Sequence, residues 1–158
     1  MKIKLTINGR PIERDVDPEM RLLDFIRNEL GITSVKDGCG IGVCGVCTVL
    51  IDGKPRQSCI TKMKSVDGKD IITVEGLGTP NKLHLLQELF IKHDAVQCGF
   101  CTPAMILVGY ALVRDNPNVT REQIKKGISR VLCRCTGYIP IVNAIEEYAK
   151  LMRGEKTS

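Results

Sequence analysis

Eight cysteines fall into two groups of four, and the first group most restricts what this chain can become. Residues 36–59, KDGCGIGVCGVCTVLIDGKPRQSC, carry Cys39, Cys44, Cys47 and Cys59 in the pattern C-x4-C-x2-C-x11-C, with five glycines between and around them. So little side-chain bulk cannot build an apolar core. It suits a backbone that curls tightly around something held by sulfur.

The compartment decides what the sulfurs do. The N-terminus, MKIKLTINGRPIERDV, alternates charged and apolar residues and offers no signal-peptide run. No window reaches the roughly 20 apolar residues of a spanning helix. The chain is expected to be cytoplasmic, with no membrane contact, where thiols stay reduced and disulfides are uncommon. Metal ligation is the stronger reading. With six aromatic residues and no Trp in 158 residues, two small cores would need such a staple.

The spacing of the first quartet, three cysteines on one loop and a distant fourth, is that of plant-type [2Fe–2S] proteins. Gly38, Gly40, Gly42 and Gly45 would let backbone N–H groups face the sulfurs, with Ile41, Val43 and Val46 as apolar shielding. A zinc site more often shows two separate CxxC pairs. The second quartet, Cys98 and Cys101 in QCGFCTP with Cys133 and Cys135 in LCRCTGY, is by spacing alone as compatible with zinc as with iron. Its placement adds information: both pairs lie at expected helix junctions, where N–H groups favour thiolate.

The order of elements points to an α+β fold. Lys2–Ile7 and 10–16 form a hairpin around Asn8-Gly9; residues 18–31 take a helical period, with Leu22, Leu23, Phe25, Ile26 and Leu30 on one face. A second hairpin turns at Asp52-Gly53, and a last strand spans 70–76. This is the order of a β-grasp sheet over 1–77. From residue 80 to 158 four helices are expected: 82–94; one opened by Thr102 as N-cap and Pro103; one opened by a Thr120/Gln123 capping box and ended by Cys133; and 139–152. The join lies in EGLGTPN, 75–81.

The formal charge of +5 invites a nucleic-acid partner. However, acids separate the basic residues, and two [2Fe–2S]²⁺ cores on eight thiolates add 2 × (−4 + 2) = −4, leaving 5 − 4 = +1. Nucleic acid is therefore not expected. The glycines around Cys39 lack the Lys-Ser/Thr that completes a phosphate loop. His84 and His93 lie on one expected helix and read as surface or packing residues. No catalytic residue is assigned.

GCGIGVCGVCTVLIDGKP, VQCGFCTPAMIL and LCRCTGYIPIV together resemble the small iron–sulfur subunit of the molybdenum hydroxylases, the xanthine dehydrogenase, aldehyde oxidase and carbon monoxide dehydrogenase family. The resemblance covers nearly the whole chain. It implies a plant-type ferredoxin-like β-grasp domain followed by a four-helix bundle, each with one [2Fe–2S] cluster. It further implies electron transfer from a molybdopterin centre on a large partner subunit through the bundle cluster, then the β-grasp cluster, to FAD or another acceptor on a medium subunit. Gln97 and Cys135 would lie beside the molybdopterin. Ala104 stands where the family has Gly, Leu85 where it has Pro, and Val43 where it has an acidic or polar residue. A stand-alone ferredoxin-like carrier and a zinc-stabilised interaction module are the competing readings.

Overall fold

The computed structural model describes residues 1–157. Five strands make one mixed sheet: β1 (Lys2–Ile7), β2 (Arg10–Asp15), β3 (Thr48–Ile51), β4 (Lys54–Gln57) and β5 (Asp70–Ile72), in the order β2-β1-β5-β3-β4. Only β1 and β5 run parallel; the other pairs are antiparallel. Both hairpins turn through two consecutive left-handed residues, Asn8-Gly9 and Asp52-Gly53, the geometry that matches the twist of the flanking strands. Ile3, Leu5 and Ile7 alternate onto the inner face of β1 and are buried.

A short helix, α1 (Leu22–Asp24), crosses that face and widens into a π-turn over Phe25–Glu29. The expected 18–31 helix is thus shorter and wider. Leu22, Leu23, Phe25 and Ile26 are all fully buried against β1 and Met63. Four buried side chains in five positions exceed one α-helical stripe, and the wider turn accommodates them.

The last strand also stops early, at Ile72, where a 3₁₀ turn, Val74–Gly76, replaces the expected 73–76. The cause is a tertiary contact. The Asn8 carboxamide accepts the Thr73 N–H at 2.8 Å and donates to the Thr73 hydroxyl at 2.8 Å, which removes Thr73 from the ladder.

Four helices follow: α2 (Leu85–Lys92), α3 (Thr102–Asp115), α4 (Arg121–Ile128) and α5 (Ile139–Met152). Among the described residues no helix is long and apolar enough to cross a membrane. α2 starts at Leu85, later than expected, because His84 caps it: the Nδ1 atom accepts the Leu86 N–H at 3.1 Å and the Gln87 side chain accepts the His84 N–H. The cap of α3 is Cys101, with Thr102 and Pro103 inside the first turn. The Thr120/Gln123 capping box opens α4 as expected.

The helices pack on one another around Leu86, Phe90, Met105, Ile124, Ile141 and Ile145. That core also takes in Val46 from the first cysteine loop, and Leu50 of β3 packs on Leu107 and Ala111 of α3. Helices and sheet therefore share a buried seam.

Candidate iron–sulfur centres

The first cysteine loop lies between α1 and β3, and Cys59 follows β4 in a 3₁₀ turn, Ser58–Ile60. Three amides, from Ile41, Val43 and Cys44, donate to the Cys39 sulfur at 3.4, 3.3 and 3.3 Å. The left-handed conformations of Gly40 and Gly42 aim them there. These amides, Cys44 foremost, pull the Cys39 thiol down to about 6. The inward-facing amides send the neighbouring side chains outward. Ile41 and Val43 are 72% and 64% exposed, so of the expected shield only Val46 is buried.

The thiols of each quartet lie close enough to shift one another's ionisation: Cys39 is influenced by Cys44, Cys59 by Cys47 and Cys39, Cys98 by Cys135 and Cys133, and Cys101 by Cys133 and Cys98. A [2Fe–2S] group takes four terminal thiolates, two on each iron, and hydrogen bonds to its sulfurs. Two sets of four neighbouring thiols, the first with three amides aimed at the Cys39 sulfur, fit that group.

Burial separates the members of each set. It pushes the Cys59 thiol up to about 11 and Cys101 up to about 12. The helix start at Cys101 does not lower its thiol as expected, because burial outweighs it. These thiols must shed protons to bind metal. The Cys98 thiol is lowered by the Phe100 N–H, and exposed Cys135 is raised by its contact with Cys98. At Cys133 burial raises the thiol, but hydrogen bonds led by the Thr136 hydroxyl prevail and lower it.

Cys133 does not end a helix. α4 stops at Ile128, and the chain runs irregularly to Tyr138. The Leu132 N–H is diverted to the Cys44 carbonyl at 2.9 Å, a direct hydrogen bond between the two cysteine segments. Gln97 is exposed on the loop beside Cys98.

Comparisons with known proteins identify the family. Residues 11–102 match a 2Fe-2S iron-sulfur cluster binding domain family and residues 73–146 a [2Fe-2S] binding domain family. The small FeS subunit of nicotinate dehydrogenase from Eubacterium barkeri is 46% identical over 143 residues, 90% of this chain and 91% of that one. The chain belongs to the iron–sulfur subunits of the molybdenum hydroxylase family. Aldehyde oxidoreductase of Megalodesulfovibrio gigas is 43% identical over 155 residues, and this iron–sulfur chain spans 96% of its own length but only 17% of that protein. A solved chain of quinoline 2-oxidoreductase from Pseudomonas putida 86 superposes with a TM-score of 0.91 at 45% identity, covering 99% of this subunit and 98% of that chain.

The structure places the three residues expected to depart from the family pattern as follows. Leu85 is the first residue of α2, a position that accepts Pro or Leu alike. Ala104 is 1% exposed inside the helical core. Val43 contributes its backbone amide, a donor that every residue except proline supplies. His84 and His93 cap the two ends of α2, and His84 meets the Tyr110 and Tyr148 rings edge-on. Thr136, Tyr138 and Leu132 sit inside or beside the LCRCTGY motif but carried no assigned role in the sequence; only their position next to ligand-type cysteines marked them.

Proposed function

We propose that Cys39, Cys44, Cys47 and Cys59 hold one [2Fe–2S] cluster and Cys98, Cys101, Cys133 and Cys135 a second. The first would belong to a β-grasp lobe, residues 1–77, and the second to a four-helix lobe, residues 80–158. The chain then serves as the electron-transfer subunit of a cytoplasmic molybdenum hydroxylase complex, between molybdopterin on a large partner and FAD, or another acceptor, on a further one. Each cluster, when bound, supplies a one-electron site. The substrate site is assigned to the large partner, and Gln97 and exposed Cys135 to the face turned toward its pterin. A Gln side chain offers donors and acceptors to a polar ring edge.

The protein's own groups set the frame. Three amides hold Cys39 in place, and the Leu132–Cys44 hydrogen bond joins the two cysteine segments. The observation that carries the reading is the near end-to-end likeness to a small FeS subunit, across which eight cysteines fall into two sets of four. A stand-alone carrier is not favoured, since it has no need of a second quartet.

The test is purification of the native complex. Two [2Fe–2S] groups predict 2 × 2 = 4 irons per chain, two EPR signals after reduction, and molybdenum in a co-eluting large chain. A fully loaded chain that elutes alone and is active as a carrier defeats the subunit reading; colourless, zinc-loaded protein defeats both.

A further inference from the structure

The segment after Cys133 closes a ring of three hydrogen bonds. The Cys133 N–H donates to the Tyr138 phenol oxygen at 3.0 Å. The Tyr138 N–H donates to the Thr136 hydroxyl oxygen at 3.1 Å. That hydroxyl lies 3.1 Å from the Cys133 sulfur. A hydroxyl has one proton and two lone pairs. The Tyr138 amide already occupies one lone pair, and a metal-bound thiolate has no proton to give, so the Thr136 proton goes to sulfur. Gly137 and Tyr138 both hold left-handed backbone, at φ of 68° and 71°. For Tyr138 this is a strained conformation, and the ring of hydrogen bonds is what retains it.

We propose that Thr136 is a positioning residue that raises the reduction potential of the second quartet's cluster by donating its hydroxyl proton to Cys133. An added electron places more negative charge on the sulfurs, and a donor aimed at one of them stabilises the reduced form more than the oxidised form. The inference rests on the reading of Cys133 as a cluster ligand.

The experiment is an EPR-monitored redox titration of the full, cluster-loaded chain. Thr136→Val keeps the side-chain shape and removes the donor. One of the two signals then titrates lower, with its reduced-to-oxidised ratio at the wild-type midpoint falling three- to tenfold, about 30–59 mV for a one-electron couple. The other signal does not move, and Thr136→Ser returns the first to its wild-type position. An unchanged midpoint, a shift of both signals, or no rescue by Ser overturns the proposal. If Thr136→Val and Thr136→Ala both lose the second signal along with half the iron, the hydroxyl is a folding element only, and the proposal falls. A wild-type chain with fewer than four irons or one EPR signal defeats the ligand reading instead.

Discussion

Replacing Gly45 by Ala tests whether the two cysteine segments are fixed to each other by backbone contact. Gly45 has φ of 75°, and a Cβ built there would overlap the Arg130 carbonyl oxygen and lie 3.1 Å from the Val131 Cα. These are backbone atoms, so no side chain can swing aside. Two costs follow: about 1–2 kcal/mol for an L-residue in left-handed backbone, and about 1–3 kcal/mol for overpacking. The total is about 2–5 kcal/mol. Gly68→Ala supplies the reference, since Gly68 has φ of 73° but nothing within 4 Å of the added methyl. It carries the first cost alone. For a chain of this size each kcal/mol lowers the unfolding midpoint by about 2–4 °C. A central loss of about 3 kcal/mol at Gly45 therefore means about 6–12 °C, and Gly68→Ala loses about half as much. The assay is thermal unfolding of the cluster-loaded chain at one scan rate, with the magnetic interaction between the two reduced centres as a second readout. Gly45→Ala should weaken that interaction by pushing residues 130–133 away from Cys44. Equal midpoints for the two variants, with the interaction unchanged, would refute the contact argument.

Three further outcomes are expected. Cys135→Ser disturbs one EPR signal and leaves the other intact; loss of both, or of neither, means the quartets are partitioned wrongly. Glu147 is buried and takes hydrogen bonds from Lys92 at 2.6 Å and Thr157 at 2.5 Å, with His93 beside it. Lys92 first, then Thr157, depress its carboxyl from the ordinary 4.5 to about 2. A depressed folded pKa gives stability that is present above about 4.5 and lost as pH falls toward about 2, so the pH dependence of unfolding in that window should flatten in Glu147→Gln. Thr120→Ala removes the α4 cap and costs about 1 kcal/mol, whereas Thr120→Ser keeps the oxygen and should unfold with the wild type in the same melt.

Features governed by local chemistry were legible in the sequence. Asn8-Gly9 and Asp52-Gly53 specify their hairpins, and Thr120 with Gln123 specifies the start of α4, because the responsible atoms lie within four residues. Only the loop spacing of Cys39, Cys44 and Cys47 is local in this sense; Cys59 and the second quartet are separated by longer stretches of chain. What escaped depends on distant partners. β5 ends at Ile72 because Asn8, 65 residues earlier, takes Thr73. Beyond α4, which ends at Ile128, the Leu132 amide goes to the distant Cys44 carbonyl rather than to its own segment. His84 was missed as a cap because Ser, Thr, Asp and Asn usually fill that role, and an imidazole nitrogen does so only when held as an acceptor. Burial lowers the His84 pKa, which favours the neutral ring, and Nδ1 accepts the Leu86 N–H. Ile41 and Val43 were placed as shields on composition alone, yet amides that face inward turn their own side chains outward.

The seam between sheet and helices explains why both quartets belong to one chain. Val46, two residues from Cys44, is buried in the helical core, and Leu50 at the centre of β3 packs against Leu107 of α3. Fully burying a Val or Leu side chain is worth about 1.5–3 kcal/mol. Separating the halves would expose these three residues at about 5–9 kcal/mol, which is comparable with the whole stability of an ordinary domain. The Leu132–Cys44 hydrogen bond would be lost as well. Electron exchange between two centres falls steeply with their separation, so a subunit of this kind gains more from a fixed spacing than from mobility. The apolar residues that set that spacing lie within a few positions of the cysteines themselves. The contacts that join sheet to helices thereby also fix the two thiol sets relative to each other.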